Sequence, residues 1–139
     1  MQSIIWDTSV YIINFRKGIS WENAKTDSLI LSSVVAAELI TGYIGNPYAL
    51  KTFENYASYA LANNRTLTPS FADWHSTGII IGKMISKRPD LKNKRALLFN
   101  DCLIATSSRQ INAKVVTANI RDFELIRKYI NFQVNYITC

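Results

Sequence analysis

The sequence predicts an α/β protein with a mostly parallel central sheet of four to five strands, covered by helices on both faces. Two observations lead there. Short apolar runs alternate along the chain with segments of helical period, the pattern of strand–helix–strand units. Strands that alternate with helices imply a mostly parallel sheet covered on both faces. And 139 residues without repeat, low-complexity tract or linker suit one domain with a core of its own.

Residues 3–6 (SIIW) read as a short strand ending at Asp7, after which Val10, Ile13 and Asn14 mark a helix. Residues 29–32 form a second strand. Residues 35–43 follow as a helix capped at Ser33 and ended near Gly42 or Gly45. Pro47 opens the next helix, where Leu50, Phe53, Tyr56, Ala57 and Ala60 keep a helical period. In this helix, residues 47–62, Tyr48, Thr52, Tyr56 and Tyr59 fall near one side, leaving that face free to meet a partner. Residues 66–68 are a brief strand. Phe71, Trp74, Gly78, Ile81, Gly82 and Ile85 then mark a long helix before Pro89, with Phe71 and Trp74 read as core. A helix over 100–110, capped at Asn100 with Asp101 in its first turn, comes next. A strand at 114–117, a helix at 121–129 and a last strand near 132–134 complete the chain.

Sixteen Lys and Arg against ten Asp and Glu give a net charge of +6 and an isoelectric point near 9.4, which favours an anionic partner, nucleic acid above all. Lys83, Lys87, Arg88, Lys92, Lys94 and Arg95 crowd into residues 83–95. Cys102 and Cys139 make no disulfide framework and suit a reducing cytoplasm. No run approaches the roughly 18 apolar residues of a membrane span, and the opening MQSIIWDTS lacks the layout of a signal peptide. The expectation is a cytoplasmic protein that does not enter a membrane.

The acids are the most informative residues. Glu22, Asp27, Glu54, Asp90 and Glu124 sit among polar neighbours, and Asp73 suits the first turn of its helix. Asp7, Glu38, Asp101 and Asp122 instead stand at element junctions beside apolar residues, in "IIWDTSVYI", "VVAAELITG", "FNDCLIA" and "VVTANIRDFELI". Open α/β sheets bind ligands beyond the carboxyl ends of their strands, where the strand order switches. Four acids gathered there repel one another and raise one another's pKa values unless divalent cations neutralise them. An oxygen-only donor set suits Mg²⁺ or Mn²⁺, whereas zinc prefers Cys and His.

The ordered set Asp7-Thr8-Ser9, Ala37-Glu38-Leu39 with Gly42, Asp101-x-Leu103-Ile104-Ala105 and Thr117-x-Asn119-x-x-Asp122-Phe123 resembles the PIN-domain ribonucleases, most of all the VapC-type toxins of bacterial toxin–antitoxin pairs. The resemblance covers nearly the whole chain. It implies a single PIN domain over 1–139 and a three-layer α/β/α sandwich. It also implies a Mg²⁺- or Mn²⁺-dependent endoribonuclease with RNA as substrate, a cognate antitoxin as partner and a homodimer in solution. Asp7 and Asp101 resemble the principal metal-binding carboxylates, and Glu38 the acid that completes the cluster directly or through water. Thr117 and Asn119 resemble the polar residues that line the site. Asn119 stands where many PIN domains carry a further acid, so Asp122 supplies that charge. Thr8-Ser9 stands where an Asp-Thr-Asn opening is common, and Ser9 orients Asp7 by a hydrogen bond.

The implied chemistry is metal-assisted in-line hydrolysis. Asp7 and Asp101 hold the ion, Glu38 or Asp122 orients the attacking water, and a second ion about 4 Å away can serve the leaving oxygen. Lys92, Lys94 and Arg95 run up to the Asp101 helix and are placed to meet RNA phosphates. His75 lies mid-helix, away from the acids, and is not read as a base. Phosphotransfer folds with a phosphorylated aspartate after the first strand fit poorly. Phosphatases of that kind want a second acid where Ser9 stands, and receiver domains an acidic pair near the first strand. A PIN-like module that binds RNA or a protein without cleavage is the alternative that Asn119 leaves open.

Overall fold

The computed structural model describes residues 2–18 and 20–138. Five strands form one sheet in the order β3-β2-β1-β4-β5, and every neighbouring pair is parallel. They are β1 (Ile4–Trp6), β2 (Leu29–Ser32), β3 (Thr66–Leu67), β4 (Lys114–Thr117) and β5 (Gln133–Tyr136). The α-helices are α1 (Thr8–Arg16), α2 (Ser33–Tyr43), α3 (Pro47–Ala62), α4 (Phe71–Lys87), α5 (Arg95–Gln110) and α6 (Ile120–Arg127). Two 3₁₀ turns span Trp21–Ala24 and Pro89–Lys94.

The chain steps from β1 to β2 to β3 at one edge, then α4 and α5 carry it back across to β4 beside β1. With right-handed crossovers, α1 to α3 fall on one face and α5 and α6 on the other, α4 packing against α5. Ile5 pairs with Ile30 on one side and Val115 on the other, and Ile5 and Val115 are fully buried at the centre of the sheet. Val35, Leu39 and Phe53 belong to the core from the first set of helices; Leu98, Cys102, Phe123 and Ile126 belong to it from the second. Among the described residues no helix is long and apolar enough to cross a membrane.

Helix ends follow local chemistry. Both α3 and α5 stop on an asparagine in the left-handed region, Asn64 at φ 55° and Asn112 at φ 56°. The next amide in each case turns back onto the helix, Arg65 N to Ala60 O at 2.7 Å and Ala113 N to Ser108 O at 2.9 Å. Asparagine tolerates this conformation better than most side chains, and the two motifs deliver the chain directly into β3 and β4. Ser70 and Asp73 form a reciprocal capping box at the start of α4.

Several boundaries and faces differ from the sequence-based expectation, each for a local reason. The cap of α2 is Ser32, not Ser33, and its Oγ accepts from Val34 N at 3.2 Å, while the helix ends at Tyr43 as expected. Helix α5 starts at Arg95 instead of 100, because the 3₁₀ turn 89–94 already winds the chain and leads straight into it. Asn100 is therefore no cap, and Asp101 lies in the helix interior, where the dipole no longer accounts for it. Strand β5 extends to Tyr136, beyond the expected 132–134. Tyr56 is buried, not on a free face: its hydroxyl meets that of Tyr11 at 3.2 Å and its ring stacks on Trp21 at 5.1 Å. Phe71 and Trp74, expected in the core, are 85% and 50% exposed. The inward stripe of α4 runs through Asp73, Thr77, Ile80, Ile81 and Met84, and those two aromatics fall off it.

Candidate active site

Reversal of strand order puts the carboxyl ends of β1 and β4 side by side, with Trp6 opposite Val116 in the register. Asp7 follows β1 directly, and its backbone amide donates to Val116 O at 2.9 Å. Although Asp7 occupies the position before α1, its side chain does not cap that helix. The carboxylate turns toward β4, where Thr117 Oγ1 and Ser9 Oγ donate to Oδ2 at 2.8 and 2.9 Å. Each hydroxyl also accepts a backbone amide, Asn119 N on Thr117 Oγ1 and Ala118 N on Ser9 Oγ. The loop after β4 thereby fixes Asp7 rather than merely lying near it. Both donors land on Oδ2, and among the described residues none bonds Oδ1.

Asp101 approaches from the middle of α5 and is 7% exposed. Its pKa is pushed up to about 8, first by burial and then by the charges of Asp7, Asp122 and Glu38, with Lys94 acting in the opposite sense. That set of neighbours brings all four junction acids into one electrostatic cluster. Glu38, half-buried on α2, accepts from Thr8 Oγ1 at 3.0 Å. Burial raises its pKa, the Thr8 bond and a second from Asn100 lower it, and the charge of Asp7 raises it again.

Asp122 lies in the first turn of α6 and is 5% exposed. Asn119 caps this helix, accepting from Asp122 N at 3.4 Å. The Asn119 amide bridges two acids, donating to Asp122 Oδ2 at 3.1 Å and to Asp101 Oδ2 at 3.2 Å. Lys94 Nζ donates to Asp122 Oδ1 at 2.7 Å. As they stand, no three Asp, Glu, His or Cys side chains among the described residues close on a common point suited to an ion. Donors from Asn119 and Lys94 occupy part of the space between the acids.

Of the residues singled out from sequence, Asp7, Ser9, Glu38, Asp101, Thr117, Asn119 and Asp122 come together here. Lys94 reaches into the cluster, while Lys92 and Arg95 are exposed outside it. His75 is exposed on α4 and stacks on Phe71. Sequence reasoning missed Thr8 and Asn100 as partners of Glu38 and Lys94 as partner of Asp122. Asn100, directly before Asp101, reads from the sequence as a cap. Nothing local to residue 94 signals a contact 28 residues away.

A parallel sheet flanked by helices, with carboxylates gathered at its switch point, defines a class of α/β proteins with an acidic site at the carboxyl ends of the strands. Residues 4–129 match the PIN domain family, and the chain belongs to that family. PIN domains are generally nucleases and typically use divalent metals. The fold is similar to that of solved structures described as DNA-bound VapBC from Salmonella typhimurium (TM-score 0.63, 22% identity, 98% of each chain covered) and VapBC2 from Rickettsia felis bound to a promoter DNA fragment (0.62, 21%, 98% and 99%). It is similar too to VapBC-1 from nontypeable Haemophilus influenzae (0.60, 21%, 97% and 98%). No curated protein is significantly similar in sequence.

The raised pKa of Asp101 makes the metal-free protein pH-sensitive. Folded, Asp101 keeps its proton up to about pH 8; unfolded, it loses it in the ordinary carboxylate range. Its contribution to stability is thus fully present below the unfolded pKa and is lost as pH rises through the folded one. Urea unfolding in chelator is expected to show stability falling across that window in the wild type. Asp101→Asn should flatten the slope and stabilise the protein near pH 9 by about 2 kcal/mol or more.

Proposed function

We propose that this chain is a Mg²⁺- or Mn²⁺-dependent endoribonuclease acting as the toxin of a toxin–antitoxin pair. The observation that carries the reading is the burial of Asp101 beside Asp7, Asp122 and Glu38 at the switch point of the sheet. Such a set is costly with every member ionised and no cation present, and its donors are all oxygen, which suits the hard divalent ions. Asp7, Asp101 and Glu38 would hold the ion, with Asp122 adding charge. When bound, it polarises the scissile phosphate and lowers the pKa of a water.

The side chains have separate tasks. Ser9 and Thr117 hold Asp7 by Oδ2, so that Oδ1 is the oxygen left for the ion. Glu38, fixed through Oε1 by Thr8, orients the attacking water and takes its proton, a task its raised pKa suits. Asn119 keeps Asp101 and Asp122 at a set separation. No covalent nucleophile is needed. Lys92 and Arg95, exposed beside the start of α5, would meet RNA phosphates without reading sequence.

The VapBC complexes among the similar structures support a protein antitoxin as partner. We further propose a homodimer, for which Tyr48 and Leu61 on α3, 73% and 69% exposed, offer apolar surface to a second copy. Sedimentation at micromolar concentration should show a species of twice 15.8 kDa; a single species at 15.8 kDa would reject the dimer.

Purified protein should cleave single-stranded RNA with Mg²⁺ or Mn²⁺ and lose activity in chelator, and Asp7→Asn or Asp101→Asn should lower the rate by at least about 100-fold. Expression of the wild type alone should arrest growth. Equal cleavage by wild type and both variants would sink the mechanism. Binding of RNA or protein without metal-dependent cleavage would favour the non-cleaving module instead. Lys92→Ser with Arg95→Ser should weaken RNA binding and reduce its salt slope by at most about 1.4. An unchanged slope would place the RNA path elsewhere.

A further inference from the structure

Lys94 makes an ion pair unlike the others among the described residues. Lys25–Glu22, Arg65–Asp27, Arg88–Asp90 and Arg127–Glu124 all join carboxylates that are substantially exposed. Lys94 Nζ, with its side chain 34% exposed, lies 2.7 Å from an Asp122 side chain that is 7% exposed. It ends the 3₁₀ turn 89–94 and stands seven residues before Asp101. Lys94 directly precedes α5, and seven residues is about two helical turns, so Lys94 leaves the chain on nearly the same side as Asp101.

Donors are divided unevenly across the acid cluster. Both oxygens of Asp122 are occupied, Oδ1 by the Lys94 ammonium and Oδ2 by the Asn119 amide. Asp7 Oδ1 has no donor to displace. An ion entering between Asp7, Asp101 and Glu38 meets no cationic side chain, only the Asn119 amide on Asp101 Oδ2 and hydroxyl donors on Asp7 Oδ2 and Glu38 Oε1. An ion entering at Asp122 must expel an ammonium and an amide, and gains correspondingly less from a carboxylate already neutralised.

Resting on the nuclease reading above, we propose that the Lys94 ammonium is the resident cation of the Asp122 half of the site, so that each protomer loads a single divalent ion, held on the Asp7–Asp101–Glu38 side. Asp122 uses one of the three N–H bonds of Lys94, and the others are free to donate to an oxygen of an incoming phosphate. Lys94 then supplies from the chain itself the positive charge that a second ion would bring. It is a lysine of the site, not of the rim.

Mn²⁺ titration of the full-length protein tests this, followed by calorimetry and by the electron paramagnetic resonance of free Mn²⁺. The wild type should bind one ion per protomer. Lys94→Gln, which keeps a hydrogen-bond donor but removes the charge, should admit a second ion, or bind the first at least about tenfold more tightly. Lys94→Arg should keep the stoichiometry of one. Two ions per wild-type protomer would overturn the proposal while leaving the nuclease reading intact. So would one ion in Lys94→Gln with unchanged affinity. No Mn²⁺ binding by any of the three proteins would overturn both. A wild-type stoichiometry of two overturns the proposal even if a variant fails to fold.

Discussion

Mutual repulsion among Asp7, Asp101, Asp122 and Glu38 is the constraint from which the organisation of this molecule follows. Three of the four are buried, where charge of one sign is poorly screened. The protein answers with three kinds of compensation. Asp101 retains a proton, Ser9 and Thr117 place hydroxyls on Asp7, and Asn119 with Lys94 places an amide and an ammonium on Asp122. Every compensating group on Asp122 and Asp101 comes from a different segment than the acid it serves, or from the turn just before it. Only a fold that gathers those segments can keep the cluster.

The parallel sheet does this with few degrees of freedom. Once β1 and β4 pair, Asp7 and Thr117 emerge at the same end, and their hydrogen bond needs no further adjustment of the backbone. The cap of α6 then places Asn119 and Asp122 together, because a capping asparagine and the third residue of the helix are neighbours by construction. Helix α5 contributes Asp101 from its interior, not from its start, which explains how a carboxylate came to be buried without help from the helix dipole. The same geometry allows Thr8 to hold Glu38, since Thr8 opens α1 directly beside Asp7.

The layers of the fold were legible from the alternation of apolar runs with helical periods, and the strands fell within two residues of their expected places. Faces of helices were less legible. Phe71 and Trp74 have the spacing and the chemistry of core residues, yet the inward stripe of α4 runs through Asp73 and Thr77, where a capping box takes up Asp73 Oδ2, its Oδ1 staying without a partner, and the Thr106 hydroxyl meets that of Thr77. Tyr56 went the other way, drawn inside by a hydroxyl partner 45 residues distant. Hydrophobicity sorts residues only on average; where a polar atom finds a partner, burial is decided by that partner.

By itself the sequence determined the strand–helix alternation, the excess of positive charge and the placement of four acids at element junctions, because each is a property of residue types at short spacing. Tertiary structure alone decided that those acids face one another, that Asp101 holds its proton toward pH 8, and that Lys94 turns inward onto Asp122 while Lys92 and Arg95 stay outside. The physical reason is that electrostatic energy depends on distance through space and on burial. Neither can be read from position along a chain until the sheet order is known.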